Sequence, residues 1–249
     1  MLPVLIVILW IGAQELQSML AKKDHPLQVG FLVGGGVALF IVSMPWSQNL
    51  DPYLPWRDLV LWSTFAAILI YRLFTTINIP TIAFTIMSFI YLPWALSYLL
   101  TLRYIPDANL GIWTLLVPIV ATVGTDVAAY FTGIYLGRHK LVPRLSPGKT
   151  VEGSLGGLAG SVVSIFVLSN LAAWLSPEAM PFNALELVLI GLFLSAVSQI
   201  GDLAESMLKR YYGIKDSGSF LPGHGGLLDR IDSLLFSIPT AYFLVQIFT

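Results

Sequence analysis

Two carboxylates, a hydroxyl and an ammonium are spaced so that they share one face of a predicted helix. They belong to Asp202, Glu205, Ser206 and Lys209, which stand at positions i, i+3, i+4 and i+7. Residues three, four and seven apart lie above one another on an α-helix. Acidic groups inside an apolar helix are costly and by default indicate a functional site. This stripe is therefore the first candidate for chemistry.

A second acidic group follows a glycine-rich connection further along the chain. Asp229, Asp232 and Ser233 repeat the i, i+3, i+4 spacing at the expected start of a helix after Gly225 and Gly226. Mg2+ takes hard oxygen ligands, typically one or two carboxylates together with substrate phosphates. Glycines let backbone N–H groups approach phosphate oxygens, and basic side chains neutralise charge on a transferring group. The two acidic groups and their connection therefore predict Mg2+-dependent phosphate chemistry.

Composition excludes other kinds of protein. Hydrophobic residues make up 56% of the 249 residues and charged residues 11%, against roughly 25% charged in soluble domains. A soluble fold would expose apolar surface over most of its area, so the chain is predicted to be an integral membrane protein. The net charge of −1 argues against nucleic acid as a partner. No cysteine is present and only three histidines are, which argues against a catalytic zinc site.

The elements that position these groups are predicted to be membrane-spanning helices, each needing about 20 mostly apolar residues. Strands of a lipid-facing barrel would be shorter and would alternate in polarity. The predicted fold is therefore all-α, a polytopic transmembrane helix bundle of about eight spans. The spans are residues 2–20, 29–44, 59–74, 81–102, 111–137, 154–175, 184–207 and 227–248. Glycines at 34–36 and 156–157 are predicted to let these helices pack closely.

Basic residues predict the orientation of the bundle, because those flanking cytoplasmic ends are retained on the inside. Eleven of the 13 basic residues lie in or beside the odd-numbered connections, which are therefore predicted to be cytoplasmic, with both termini outside. Residues 1–110 are predicted to form N-terminal spans that serve helix packing. Residues 111–249 are predicted to form a catalytic transmembrane region with cytoplasmic loops 138–153 and 208–226.

One run of residues resembles the signature of a known family. From Ser206 to Asp232 the chain reads SMLKRYYGIKDSGSFLPGHGGLLDRID, which is similar to the signature of phosphatidate cytidylyltransferases, also called CDP-diacylglycerol synthases. The resemblance continues upstream at Thr125-Asp126 and at residues 146–150, SPGKT. It covers residues 124–236 closely and the earlier spans only in hydropathy. Members of the family begin with one further hydrophobic span, and this sequence begins at what resembles their second.

This resemblance implies transfer of CMP from CTP to phosphatidic acid, giving CDP-diacylglycerol and pyrophosphate in phospholipid biosynthesis. It implies dependence on Mg2+ and places metal-binding carboxylates at Asp202 and Asp229. A second, monovalent cation such as K+ and a homodimer are left open. The implied partners are CTP, phosphatidic acid and the lipid bilayer. The implied location is a bacterial inner membrane, with the active site on the cytoplasmic side.

The candidate site residues fall into three groups. The catalytic candidates are Asp202, Asp229, Lys209, Arg210 and Lys215. The substrate-binding candidates are Ser146, Lys149, Thr150, Ser206, Asp216, Ser217, His224, Gly225, Gly226 and Arg230. The metal-binding candidates are Asp202 and Asp229, joined by Asp126, Glu205 and Asp232.

Some of these residues have more than one interpretation. Asp126 either contacts metal or nucleotide or makes a structural hydrogen bond inside the bundle. Lys149 either serves the phosphates, with hydroxyls and a tight turn around it, or belongs to an ordinary basic loop. His224 fits a phosphate contact, a proton donor or a turn residue. Glu15 lies near the cytoplasmic end of the first span, where a carboxylate costs little, and is assigned no role.

Two other functions fit parts of the pattern. A secondary transporter also places acids in its spans, but it usually has paired halves with interrupted helices, and no such symmetry is seen here. A cytidylyltransferase acting on another lipid phosphate, such as an archaeal-type ether lipid, would share the same polar residues. Product analysis with competing lipids distinguishes the second alternative.

Overall fold

The computed structural model describes residues 1–45, 54–75, 77–105, 108–176, 180–218, 220 and 225–248. Within these residues the chain forms nine α-helices and one two-stranded sheet. The helices are α1 (Leu2–Ala21), α2 (Val29–Val42), α3 (Trp56–Leu73), α4 (Ile79–Phe89), α5 (Ala95–Arg103), α6 (Ala108–Leu136), α7 (Val151–Leu175), α8 (Ala184–Tyr211) and α9 (Leu228–Phe248). The strands are β1 (Lys140–Val142) and β2 (Ser146–Thr150).

Each of the eight predicted spans coincides with a helical segment, which confirms the all-α transmembrane bundle. In the described part of the chain, six segments are long and apolar enough to cross a membrane: Leu2–Ala21, Ile79–Arg103, Gly111–Leu136, Val151–Leu175, Ala184–Tyr211 and Leu228–Phe248. Helix α2 is apolar but has only 14 residues. Helix α3 has Arg57 and Asp58 in its first turn and Arg72 in its last, so its uncharged stretch is short.

One compact unit comprises residues 1–101 and 211–230. Its fourth predicted span is a composite, in which the π-helical turn Ile90–Trp94 joins α4 to α5. The turn contains Pro93, which has no N–H to donate and therefore interrupts regular α-helical bonding. Helix α2 comes close to its neighbours at its glycines. A Cβ added at Gly35 would collide with Thr64, and one added at Gly36 would collide with Pro93, which confirms the predicted packing role of these two glycines.

The other compact unit comprises residues 102–210 and 231–249. Helices α6 and α7 pack along one another through small residues. A Cβ added at Gly156 would overlap Thr132, and one added at Gly160 would overlap Ala128. The glycine-lined contact lets the two helix backbones approach closely, as predicted for residues 156–157.

The connection between α6 and α7 contains a β-hairpin that the sequence did not predict. Strands β1 and β2 are antiparallel, with Lys140 opposite Thr150 and Val142 opposite Ser146. The prediction of a tight turn within residues 146–150 was wrong, because the chain reverses before Ser146, where the Leu145 N–H donates to the Val142 carbonyl at 3.1 Å. Thr150 ends the hairpin and caps α7, since its Oγ1 accepts from the Gly153 N–H at 3.1 Å.

Candidate active site

The predicted site residues lie in both compact units, and each unit contains its own polar cluster. In the unit formed by residues 102–210 and 231–249, a cavity of about 460 Å³ opens among α6, the hairpin, α7 and α8. Its lining includes the carboxylates of Asp126 and Asp202, the ammonium of Lys149, and the hydroxyl groups of Ser146 and Thr150. The structure therefore gathers around one cavity residues from three separate stretches of the sequence.

Lys149 is held in this cavity by an ion pair with Asp202. The Lys149 Nζ contacts Asp202 Oδ2, and the Ser206 hydroxyl donates to the other oxygen, Oδ1, at 3.4 Å. Lys149 lies in strand β2, and its side chain contacts helix α8. Asp202 and Ser206 lie one turn apart on the predicted face of α8. Of the two interpretations of Lys149, this ion pair favours a role beside the phosphates over an ordinary basic loop.

Asp126 lies on α6 and faces the same cavity. Its carboxylate is within electrostatic range of Asp202, Asp232 and Lys149. Among the described lining residues, the two acids Asp126 and Asp202 outnumber the one ammonium of Lys149, which favours a cation at this place. This arrangement supports the interpretation of Asp126 as a contact for metal or nucleotide.

Gln199 is a residue of this cavity that the sequence analysis missed. It lies on α8 one turn before Asp202, and its amide oxygen accepts from the Ser154 hydroxyl of α7. Its amide nitrogen donates to the Ser154 carbonyl and to the Ser195 hydroxyl, each at 3.2 Å. These bonds join α8 to α7 beside Asp202. An amide inside an apolar span, three positions before an acid, was the available signal.

Glu205 and Asp232 form a buried acidic pair in the same unit, with 2% and 9% of their surfaces exposed. The Lys209 Nζ contacts Glu205 Oε2 at 2.6 Å, and Asp232 Oδ1 accepts from the Ser233 N–H at 2.6 Å. Glu205 Oε1 is buried and no hydrogen-bond donor reaches it from the described residues. Lys209 thus neutralises Glu205, one turn away along the predicted stripe.

The acidic side chains of this unit fit a hard cation of the Mg2+ type, because the atoms that would bind the metal are carboxylate oxygens. Among the residues that the structure describes, no three Asp, Glu or His side chains are grouped closely enough to hold a metal by themselves. A site of one or two carboxylates completed by substrate phosphates is compatible with this finding.

Asp229 lies in the unit formed by residues 1–101 and 211–230, where it is part of a second polar cluster. It lies in the first turn of α9, which begins after Gly226 as predicted. Donors from the described residues that converge on its Oδ2 include the Ser217 N–H at 2.9 Å, the Ser217 hydroxyl at 3.0 Å and the Gly226 N–H at 2.7 Å. Gly225 has a φ of 85°, a left-handed conformation that favours glycine. Ser217 and Gly226, predicted as substrate contacts, here orient Asp229.

Glu15 also belongs to this cluster, so the expectation that it has no role was wrong. The side chain is 7% exposed, and its Oε1 accepts from the Leu227 N–H at 2.8 Å. Its Oε2 accepts from the Leu228 N–H at 2.9 Å and lies 3.2 Å from the Ser217 hydroxyl oxygen, whose one proton it shares as an alternative acceptor with Asp229. The available signal was its place among Gly12, Leu16 and Met19 on the buried face of α1, where an acid needs partners.

The remaining candidates have simpler surroundings. Arg210 donates from Nε to the Leu145 carbonyl at 3.3 Å, which connects the end of α8 to the hairpin. Lys215, Asp216 and Arg230 are exposed. His224 lies outside the described residues, so its three interpretations stay open.

A larger cavity, of about 580 Å³, lies in the unit that contains α3 and α4. Its walls are mostly aromatic and aliphatic, including Trp62, Phe65, Phe89 and Trp94, and among the described lining residues Asp58 alone is charged. It lacks the converging polar groups that phosphate chemistry needs. The smaller cavity around Asp202 is therefore the candidate active site.

The chain belongs to the cytidylyltransferase family, whose model matches residues 1–248. It is 41% identical to the phosphatidate cytidylyltransferase of Bacillus subtilis over 174 residues, which are 70% of this chain and 62% of that protein. The enzyme of the same name from Staphylococcus saprophyticus is 43% identical over 167 residues, covering 63% of this chain and 56% of the relative. That of Brucella suis is 44% identical over 142 residues, covering 57% and 50%. The matched part thus spans half to 62% of these relatives.

Proposed function

We propose that this protein is a phosphatidate cytidylyltransferase, which transfers CMP from CTP to phosphatidic acid. The products are CDP-diacylglycerol, a precursor for phospholipid biosynthesis, and pyrophosphate. The observation that carries the proposal is the cavity in which Asp126, Asp202 and Lys149 converge beside the hydroxyls of Ser146 and Thr150. The names of the relatives from three bacteria support the choice of CTP and phosphatidic acid.

Mg2+ is the proposed cofactor, with Asp202 and Asp229 as its proposed ligands and Asp126, Glu205 and Asp232 as further acidic candidates. When bound, Mg2+ supplies charge neutralisation on the CTP phosphates. Carboxylate oxygens, which are hard ligands, support this choice over a softer metal. A second, monovalent cation such as K+ and a homodimer remain part of the proposal.

The proposed chemistry is a direct in-line displacement. An oxygen of the lipid phosphate forms a bond to the α-phosphorus of CTP, and the bond from that phosphorus to the bridging oxygen of the pyrophosphate breaks. The lipid phosphate needs little help from a base, since the second pKa of a phosphate monoester is about 6. Lys149 is proposed to neutralise phosphate charge during the transfer, and Lys209, Arg210 and Lys215 are further candidates for this task.

The function is tested with purified protein, α-labelled CTP, Mg2+ and phosphatidic acid. We expect label to enter the lipid phase only when CTP and lipid are both present, and no label to attach to the protein when the lipid is omitted. Absence of lipid-soluble cytidine would contradict the proposed function. Preferred use of an ether-lipid phosphate in competition would assign the same chemistry to another lipid. Labelled protein would show a covalent intermediate.

We further propose that the hairpin between α6 and α7 faces the cytoplasm, where CTP is available, and that the connection after α7 faces outward. The chain has no cysteine, so single cysteines can be labelled without background. In intact cells, an impermeant maleimide is expected to label Ser176→Cys and to leave Ser146→Cys unlabelled until the membrane is opened. Both side chains are partly exposed. Labelling of Ser146→Cys in intact cells would show that the orientation is opposite to the one proposed.

A further inference from the structure

A carboxylate from the first helix, α1, lies at the start of the last helix, α9. Three consecutive backbone N–H groups there donate to two acids: Gly226 donates to Asp229, and Leu227 and Leu228 donate to Glu15. We propose that Glu15 is a positioning residue for Asp229, which it controls through Ser217 and the start of α9. This inference rests on the proposed function only in so far as Asp229 serves the reaction.

Ser217 is the link between the two acids. Its hydroxyl lies 3.2 Å from Glu15 Oε2 and 3.0 Å from Asp229 Oδ2, and its N–H also donates to Asp229. The position of the Asp229 carboxylate therefore depends on where Glu15 holds the segment around Ser217. Glu15 also satisfies two N–H groups at the start of α9, which are among the four that a helix leaves without internal partners. Without Glu15, the Leu227 and Leu228 N–H groups lose the acceptors that they have in this structure.

Two glycines make room for the Glu15 carboxylate. A Cβ added at Gly218 would lie 2.5 Å from Glu15 Oε1, and one added at Gly226 would lie 2.7 Å from the same atom. Real Cβ atoms do not approach another atom so closely, so a larger residue at either position would displace the carboxylate or the segment. Gly218 and Gly226 thus leave space for the buried carboxylate of Glu15, in addition to any contact that this connection makes with substrate.

The test compares Glu15→Gln with Gln17→Ala in the full-length protein purified in detergent. Glutamine has nearly the same volume as glutamate, but one of its two terminal groups is an NH2 group. This group is a donor, so it would face a backbone N–H that in the wild type donates to a Glu15 oxygen. Gln17 is the matched control, because it lies on the same helix and its Oε1 accepts from the Leu27 N–H at 2.6 Å, in the α1–α2 connection. We expect amide hydrogen exchange in segment 225–230 to become about 10-fold faster in Glu15→Gln and to stay unchanged in Gln17→Ala.

Enzyme kinetics supply a second readout that a general loss of stability would not produce. The Mg2+ concentration needed for half-maximal activity is expected to rise about 10- to 100-fold in Glu15→Gln, as when a partner of a metal ligand is lost. The KM for phosphatidic acid should change little. Glu15→Asp keeps the charge on a shorter side chain and should fall between Glu15→Gln and wild type in both measurements.

The outcomes separate this proposal from the proposed function. Unchanged exchange in segment 225–230 of Glu15→Gln, or equal acceleration in Gln17→Ala, would overturn the role of Glu15. Faster exchange in a protein whose wild type makes no CDP-diacylglycerol would support the positioning of Asp229 and reject the function. If Glu15→Gln does not fold, Glu15→Asp decides, since wild-type exchange and Mg2+ dependence in that variant would overturn the proposal.

Discussion

Asp202→Asn is expected to lower the rate of CDP-diacylglycerol formation by about 1,000-fold while the protein stays inserted and folded. Asparagine has nearly the same volume, but it lacks the charge that pairs with Lys149 and that the proposed Mg2+ requires. The Lys149 and Asp202 side chains are 28% and 31% exposed, so loss of the pair should cost at most about 1 kcal/mol of stability. The measurement is kcat at saturating Mg2+, together with the midpoint of thermal unfolding.

A matched control is Glu186→Gln, at the opposite end of the same helix, α8. Glu186 Oε2 accepts from the Asn183 N–H at 2.7 Å, while the Glu186 N–H donates to Asn183 Oδ1 at 3.1 Å. Glutamine preserves this capping arrangement, so the control should be fully active. A kcat for Asp202→Asn near that of the wild type would remove Asp202 from the list of essential residues.

Asp229→Asn is expected to reduce activity by a similar factor, about 1,000-fold, with a different structural signature. The amide oxygen of asparagine can still accept from Ser217 and Gly226, so the connection before α9 should stay ordered. The expected combination is therefore lost turnover with wild-type amide exchange in segment 225–230, in contrast to Glu15→Gln.

Asp58→Asn provides the comparison for Asp229→Asn, because Asp58 also lies in the first turn of a helix in the same unit. The Asp58→Asn variant loses a negative charge from the first turn of a helix, but at a place away from the connection before α9. It should leave kcat unchanged. Full activity in Asp229→Asn would show that its charge is not needed. A loss of activity accompanied by faster exchange would assign Asp229 to structure alone.

Hydropathy predicted the helices well because a membrane leaves few alternatives for the backbone. Unsatisfied N–H and C=O groups are costly in lipid, so a long apolar stretch forms a helix whatever its detailed sequence. The hairpin between α6 and α7 was missed for the opposite reason. Pro147 and Gly148 are typical of a turn, but pairing with Lys140–Val142 places them in a strand. In this connection, the local residue types did not determine the structure.

The site was predictable where spacing along one helix decides it. The face shared by Asp202, Ser206 and Lys209 follows from helical periodicity, and α8 presents it as expected. Contacts between distant parts of the chain could not be read in this way. Lys149 and Asp202 are 53 positions apart, and Glu15 and Ser217 are 202 apart. Such pairs depend on how helices pack, which single-sequence periodicity does not describe.

The bond between Glu15 and Leu227 has a consequence for the order in which the protein is made. Its two ends are 212 positions apart, so at about 5 to 20 residues per second a ribosome needs roughly 10 to 40 s to produce the second after the first. During that interval α1 enters the membrane with an acid whose partners have not been synthesised. The junction of the first and last helices is therefore a late step of assembly, and a nascent chain released before α9 lacks the donors that Glu15 requires.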